Sequence, residues 1–168
     1  YKGHETLIRA MARVQGARLI LVGEGERKKS LKRLTKSIGM EKQVALTGYI
    51  PDSELSALME TCDVLCLPSI ERTEAFGVVL LEAMRYARPV IASGIPGSGV
   101  GWVVRDREVG LLVQPGDEDA LAEALLKMQA SPDLRWEMGV AGKKLFDNSF
   151  HIDQVAAKLA SIYSEVVK

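Results

Sequence analysis

Five short aliphatic runs, in "ARLILVGEGE", "QVALTG", "DVLCLP", "PVIAS" and "GLLV", alternate along the chain with longer stretches whose apolar residues recur at helical spacing. The runs have the length of strands, and glycine, proline or serine follows each within a residue or two. Such alternation calls for a Rossmann-like α/β fold, a parallel sheet with helices on both faces and strands buried on both sides. The helical stretches place Leu7, Ile8, Met11 and Val14 on one face, then run from Arg27 to Ile38, from Asp52 to about Thr61, from Gly77 to about Tyr86, and from Asp117 to near the end. Asp52 in "PDSEL" and Asp117 in "PGDEDAL" are the expected N-caps. The glycine-rich "SGIPGSGVG" reads as a loop.

With 168 residues the chain has the length of one domain. Lysine plus arginine (22) equals aspartate plus glutamate (22), so no net field draws in nucleic acid or an anionic membrane. A charged ligand must then be held by local geometry. Cys62 and Cys66 sit in a strand-like apolar segment and are expected to be buried free thiols. No apolar stretch approaches the roughly 20 residues of a membrane-spanning helix, and a cytoplasmic location is the expectation.

In a parallel α/β sheet, ligands gather at the carboxyl ends of the strands. The loops that matter are then "GEGE", "TGYIP", "PSIERTEAFG" and "SGIPGSGVG". In "ERTEAFGVVLLEAM" a helix starting near Phe76 or Gly77 presents unpaired N–H groups whose dipole favours an anion. Gly77 clears space for it, and Glu82 follows about five residues on, roughly 7 to 8 Å along the axis. Glu74 stands on the opposite, loop side. Ionised carboxylates accept hydrogen bonds, typically from hydroxyls, so a phosphate between two such groups describes a sugar nucleotide.

Plainer readings stand beside this one. Glu74 can serve only to complement the helix dipole, and Glu82 can pair with Arg85. Glu82 shares a face with Val78, Val79 and Tyr86, and if buried it needs a partner such as a ribose diol. "GEGE" is a weak dinucleotide fingerprint, because Lys28 occupies the place of the third glycine.

Taken in order, "YKGHETLIRAM", "LILVGEGE", "VALTGYIPDSEL", "DVLCLPS", "TEAFGVVLLEAM", "RPVIAS", "GLLVQPGDEDALAEAL" and "FHIDQVAAKLASIYSEV" resemble the carboxyl-terminal domain of retaining glycosyltransferases of the two-domain GT-B fold. The family is glycosyl transferases group 1, also called family 4, and the resemblance covers nearly the whole chain. It implies that Glu74 faces the donor sugar hydroxyls, that Glu82 holds the ribose, and that Lys2 of the "KG" motif reaches the diphosphate. Glu74 and Lys2 are thereby the implied catalytic residues. The backbone around Ala75, Phe76, Gly77, Val78 and Val79 is assigned to the donor sugar and diphosphate, and that of Gly48, Tyr49 and Ile50 to the base.

The implied reaction moves a hexosyl group from a UDP or GDP sugar to a hydroxyl of a glycan or lipid-linked glycan, with retention and no obligatory metal or cofactor. Residues 1–168 are then expected to be one nucleotide-sugar-binding domain of a two-domain enzyme. Its first strand, an arginine ahead of residue 1 and the N-terminal acceptor domain are expected to be missing, and the isolated chain to be inactive. Any approach to the inner face of a membrane falls to that missing domain. The alternatives are a regulatory module that binds without transfer and one subunit of a split enzyme; an unrelated flavodoxin-like receiver lacks its acidic cluster. Two departures stand out. The family usually has glycine where Ala87 stands, and an acidic residue near Gly101 and Trp102, so the "GIPGSGVGWVV" loop is expected to shape a subgroup-specific donor or acceptor site.

Overall fold

The computed structural model describes residues 1–167. Its first half runs α1 (His4–Met11), β1 (Leu19–Val22), α2 (Lys28–Ser37), β2 (Val44–Gly48), α3 (Asp52–Thr61) and β3 (Leu65–Leu67). The second half runs α4 (Val78–Arg85), β4 (Val90–Ser93), α5 (Val100–Val104), β5 (Gly110–Val113), α6 (Glu118–Ala130) and α7 (Pro132–Leu145), then a π-helical turn (Phe146–Phe150) and α8 (Ile152–Val166). All strand pairs are parallel, as the alternation requires. They form two ladders, β1–β2 and β3–β4–β5, where the sequence suggests a single sheet.

Strand β4 shows why helices must lie on both faces. All four of its residues are buried, and the three apolar ones alternate between two cores. Ile91 joins Leu7, Ile8, Met11, Leu121 and Met128 under α1 and α6. Val90 and Ala92 join Leu80, Met84, Val103 and Val109 under α4 and α5. Strand β1 departs from the expectation of burial on both faces. Leu19 and Leu21 pack on the first core, while Ile20 and Val22 are 46% and 40% exposed, with no helix over them among the described residues.

Local signals set most of the helix ends. Asp117 caps α6 by accepting the Ala120 N–H at 2.8 Å, as expected. The expectation for Asp52 is corrected: it is the first residue of α3, and Pro51 occupies the cap position. The fixed φ of proline suits that extended residue, and its carbonyl accepts the N–H groups of Glu54 and Leu55, both at 3.0 Å. The glycine-rich loop contains the short helix α5, which its sequence disfavours.

Helix α4 ends in a Schellman arrangement, with Ala87 N–H donating to Met84 and Arg88 N–H to Ala83. Ala87 adopts φ 54° there, a left-handed conformation that costs a non-glycine residue about 1–2 kcal/mol. Its carbonyl is pinned by Gly139 of α7, where a Cβ would lie 2.1 Å from it. Close helix packing thus holds the alanine in a glycine's conformation.

Candidate functional site

The three residues ahead of α1 are bound to the loop that follows β3. Ile70 N–H donates to the Tyr1 carbonyl at 2.8 Å. Gly3, at φ 68°, approaches so closely that a Cβ there would lie 1.8 Å from the Pro68 carbonyl oxygen, so only glycine fits. Between these anchors Lys2 turns toward Glu74, and its Nζ lies 2.5 Å from Glu74 Oε2. The fully buried Ser69 hydroxyl donates to the same oxygen at 3.0 Å.

Glu74 is only 9% exposed, and these two donors offset its desolvation. For Lys2, burial pulls the ammonium pKa down, but the hydrogen bond and charge of Glu74, helped by Tyr1, outweigh burial and raise it above the ordinary 10.5. Lys2 is therefore a fixed cation at neutral pH. Beside it, burial and the charges of Lys2 and Arg27 lower the pKa of His4 below 6.5 and favour its neutral form.

The segment after Glu74 is tied down from the other side. Ser98 Oγ donates to the Glu74 carbonyl at 2.5 Å, and Gly99 N–H donates to the Ala75 carbonyl at 2.7 Å. The side chain of Ala75 is exposed and that of Phe76 half-buried. Gly77 then caps α4 at φ 78°, and a Cβ there would meet Leu80 and Leu67 at 2.7 and 2.9 Å. Its carbonyl accepts the Leu80 N–H, while the N–H groups of Val78 and Val79 precede any acceptor in their own helix. The helix thus starts where the sequence places it, with these two N–H groups at its open end.

Glu82 stands one turn further along α4 and is exposed, as is Val78 on the same face at 62%. The possibility of a buried Glu82 is thereby corrected: that face of α4 meets solvent. Among the described residues no ion pair joins Glu82 to Arg85 or to any other cation, so the plainer reading of this residue is not formed either.

A cleft of 430 Å³ opens beside Lys2 at the carboxyl end of β1, lined by Gly3, Gly23, Glu24, Arg27 and Lys28 among others. Arg27 pairs with Glu5, and Lys28 lies 3.8 Å from Glu24. Gly48 backs this wall at φ 75°, accepting the Gly23 N–H at 2.9 Å, and a Cβ on it would sit 2.5 Å from Lys28 Nζ. Tyr49 follows with its ring exposed and Ile50 half-buried.

The structure thus joins Lys2 to Glu74 directly, on the loop that leads into α4. It sets Gly48 beside the cleft that opens next to Lys2, and leaves Glu82 a turn away. Sequence reasoning missed Ser69 and Ser98, whose only signal was a small hydroxyl residue placed at a strand end and in a glycine-rich loop.

A second hollow of 350 Å³, lined by Ala87, Val140 and Lys143, lies at the opposite end of α4, away from the strand carboxyl ends. Both cysteines are free, as expected, but half-buried where full burial was expected; desolvation still pushes the Cys66 thiol up to about 12, with Cys62 adding to the effect. Among the described residues, no group of three or more His, Cys, Asp or Glu side chains is arranged to hold a metal ion, and no helix is long and apolar enough to cross a membrane.

The family model described as glycosyl transferases group 1 matches residues 1–145. Among curated proteins the chain is 29% identical to the O-antigen chain mannosyltransferase C of Escherichia coli, over 100% of this chain and 44% of that protein. It is 33% identical to the GDP-mannose-dependent alpha-(1-6)-phosphatidylinositol monomannoside mannosyltransferase of Mycobacterium tuberculosis, over 95% of this chain and 43% of that protein. The chain therefore spans less than half the length of these relatives.

Among solved structures, sucrose-phosphate synthase from Thermosynechococcus elongatus superposes with a TM-score of 0.86 at 30% identity, covering 99% of this chain and 42% of that one. Anabaena Alr3699/HepE in complex with UDP superposes with a TM-score of 0.88 at 25% identity, covering 98% of this chain and 46% of that one.

Proposed function

Because the chain belongs to the glycosyl transferases group 1 family, we propose that it is the donor-binding domain of a retaining family 4 glycosyltransferase. In this reading it holds a UDP or GDP sugar while the hexosyl group passes to an acceptor hydroxyl on a glycan or lipid-linked glycan. The observation that carries it is the joining of Lys2 to Glu74 across the loop that opens α4. A fixed cation paired with Glu74, and the backbone N–H groups that open α4 just after it in sequence, suit the charge that develops on a departing diphosphate.

Each residue then has a task. Lys2 exchanges Glu74 for the diphosphate when donor binds, and the amides of Phe76, Gly77, Val78 and Val79 receive the sugar and phosphate oxygens. Both protein contacts of the Glu74 carboxylate fall on Oε2, which leaves Oε1 for a sugar hydroxyl. Glu74 acts as a positioning group, unlike the paired carboxylates of a retaining glycosidase, one of which attacks the sugar. Glu82 accepts from the ribose hydroxyls, and the backbone of Gly48, Tyr49 and Ile50 receives the base. Loss of the leaving group is assisted by Lys2 and backbone dipoles without an obligatory metal.

The acceptor site belongs to a further N-terminal domain, so residues 1–168 bind donor without completing transfer. We assign the enzyme to the cytoplasm. The chain's similarity to one enzyme whose name specifies GDP-mannose and to another solved with UDP supports a nucleotide-sugar donor and leaves the base to experiment.

Glu82 offers a clean test, because an exposed, unpaired carboxylate contributes little to folding. Glu82→Ala is expected to change stability by no more than about 0.5 kcal/mol. It should weaken binding of the preferred nucleoside diphosphate roughly tenfold, the value of a charged hydrogen bond to a hydroxyl. Thermal unfolding and calorimetric titration measure the two separately. Parallel loss of stability and affinity would assign Glu82 to structure.

A further inference from the structure

Beyond the loop that holds Glu74, three aromatic rings form a cluster that the site described above does not use. Trp102 of α5 stands edge-on to Phe150 of the π-helical turn, at 5.3 Å between centroids and 87°. Phe76 lies 6.1 Å from Trp102 and 6.4 Å from Phe150. Phe76 and Phe150 are half-buried and pack on the second core, whereas Trp102 is 62% exposed. A tryptophan supported by two rings yet open to solvent is a fixed apolar plate.

Its position is set by the donor loop. Gly99 N–H bonds to the Ala75 carbonyl, and a Cβ on Gly99 would lie 3.0 Å from the Phe76 ring. Trp102 N–H bonds to the Gly99 carbonyl at 3.0 Å, one turn on, so the indole is carried on a helix fastened to the residues that follow Glu74. We propose that Trp102 is a specificity-determining residue whose indole packs against the apolar C–H face of the donor hexose, while Glu74 accepts from the hydroxyls on the sugar's edge.

The inference rests on the donor-binding reading above and adds the sugar-contacting surface to it. A hexose ring is amphiphilic, with hydroxyls around its edge and C–H groups on its faces. A carboxylate alone reads only the edge. An indole already held by Phe76 and Phe150 loses little further freedom on contact, so its apolar contact is gained at low entropic cost.

The test compares UDP with UDP-glucose and GDP with GDP-mannose on this chain by calorimetry, for the parent protein, Trp102→Ala and Trp102→Phe. Whichever base binds, Trp102→Ala is expected to weaken the sugar conjugate roughly tenfold and to leave the bare diphosphate unchanged, while Trp102→Phe restores most of the affinity. In a Trp136→Phe background Trp102 is the only tryptophan of the two, and its emission should shift with the sugar conjugate but not with the diphosphate. Equal effects of Trp102→Ala on both ligands, or none on either, would overturn the inference and leave the donor reading intact. Failure of the parent chain to bind any of the four ligands would overturn both.

Discussion

Glu74→Ala is expected to erase the preference of this chain for a nucleotide sugar over the matching nucleoside diphosphate. The sugar conjugate should lose roughly ten- to a hundredfold in affinity, the range for hydrogen bonds to a charged group. The bare diphosphate should bind as well as before or better, because Lys2, 2.5 Å from the carboxylate in the free protein, no longer has to exchange partners. Folding is affected much less. The losses are one hydrogen bond from Ser69 and an ion pair to a lysine whose side chain is 43% exposed, and such a pair contributes little in water. About 1 kcal/mol is expected, or 2–4 °C in Tm for a domain of this size. Calorimetry with UDP, UDP-glucose, GDP and GDP-mannose checks the first expectation and thermal unfolding the second. Equal loss for conjugate and diphosphate would mean that Glu74 only shapes the loop.

Gly110→Ala should have the opposite profile, a large loss of stability with little change in the ligand affinity of the folded protein. Gly110 opens β5 opposite Val90, and a Cβ there would lie 2.2 Å from the Val90 carbonyl oxygen and 2.6 Å from its Cγ2. Val90 is fully buried in the second core, so neither atom has room to retreat. Forcing the strands apart should cost about 3 kcal/mol or more, a fall of roughly 6–12 °C in Tm. Because the substitution lies at the start of the strand, away from the carboxyl ends where Lys2 and Glu74 meet, titrations below the transition should give near-parent affinities. A Tm within 2 °C of the parent (roughly 1 kcal/mol or less) would contradict the packing described here.

The fold was legible because its signals are local. Strand and helix are separated by apolar period and by glycine or proline at the breaks, and β4 is buried on both faces as its continuous aliphatic run implies. What escaped was set by tertiary contact. Helix α5 forms in a glycine-rich stretch because Gly99 and Ser98 are bonded to the Glu74–Ala75 backbone, which no local propensity reports. Ile20 and Val22 are as aliphatic as any strand residue, and their exposure depends on the absence of a covering helix among the described residues.

The candidate site divides in the same way. The helix end at Gly77 could be read from residue types alone, and the resemblance named Lys2 and Glu74 separately. Their contact spans 72 positions. It depends on Gly3 lying against Pro68, a closeness visible only once β3 and the start of α1 are folded side by side. Glu82 shows the converse: its apolar neighbours on the helix left burial open, whereas this face of α4 meets solvent.

The most direct test of the central claim is ligand-observed NMR on this chain with UDP, GDP and ADP and their common sugar conjugates. The account predicts selective binding of one base, tighter for its sugar conjugate than for the diphosphate alone, and weakened by Glu82→Ala in a protein that melts like the parent. No binding to any of them, or binding indifferent to base, sugar and Glu82, would contradict it.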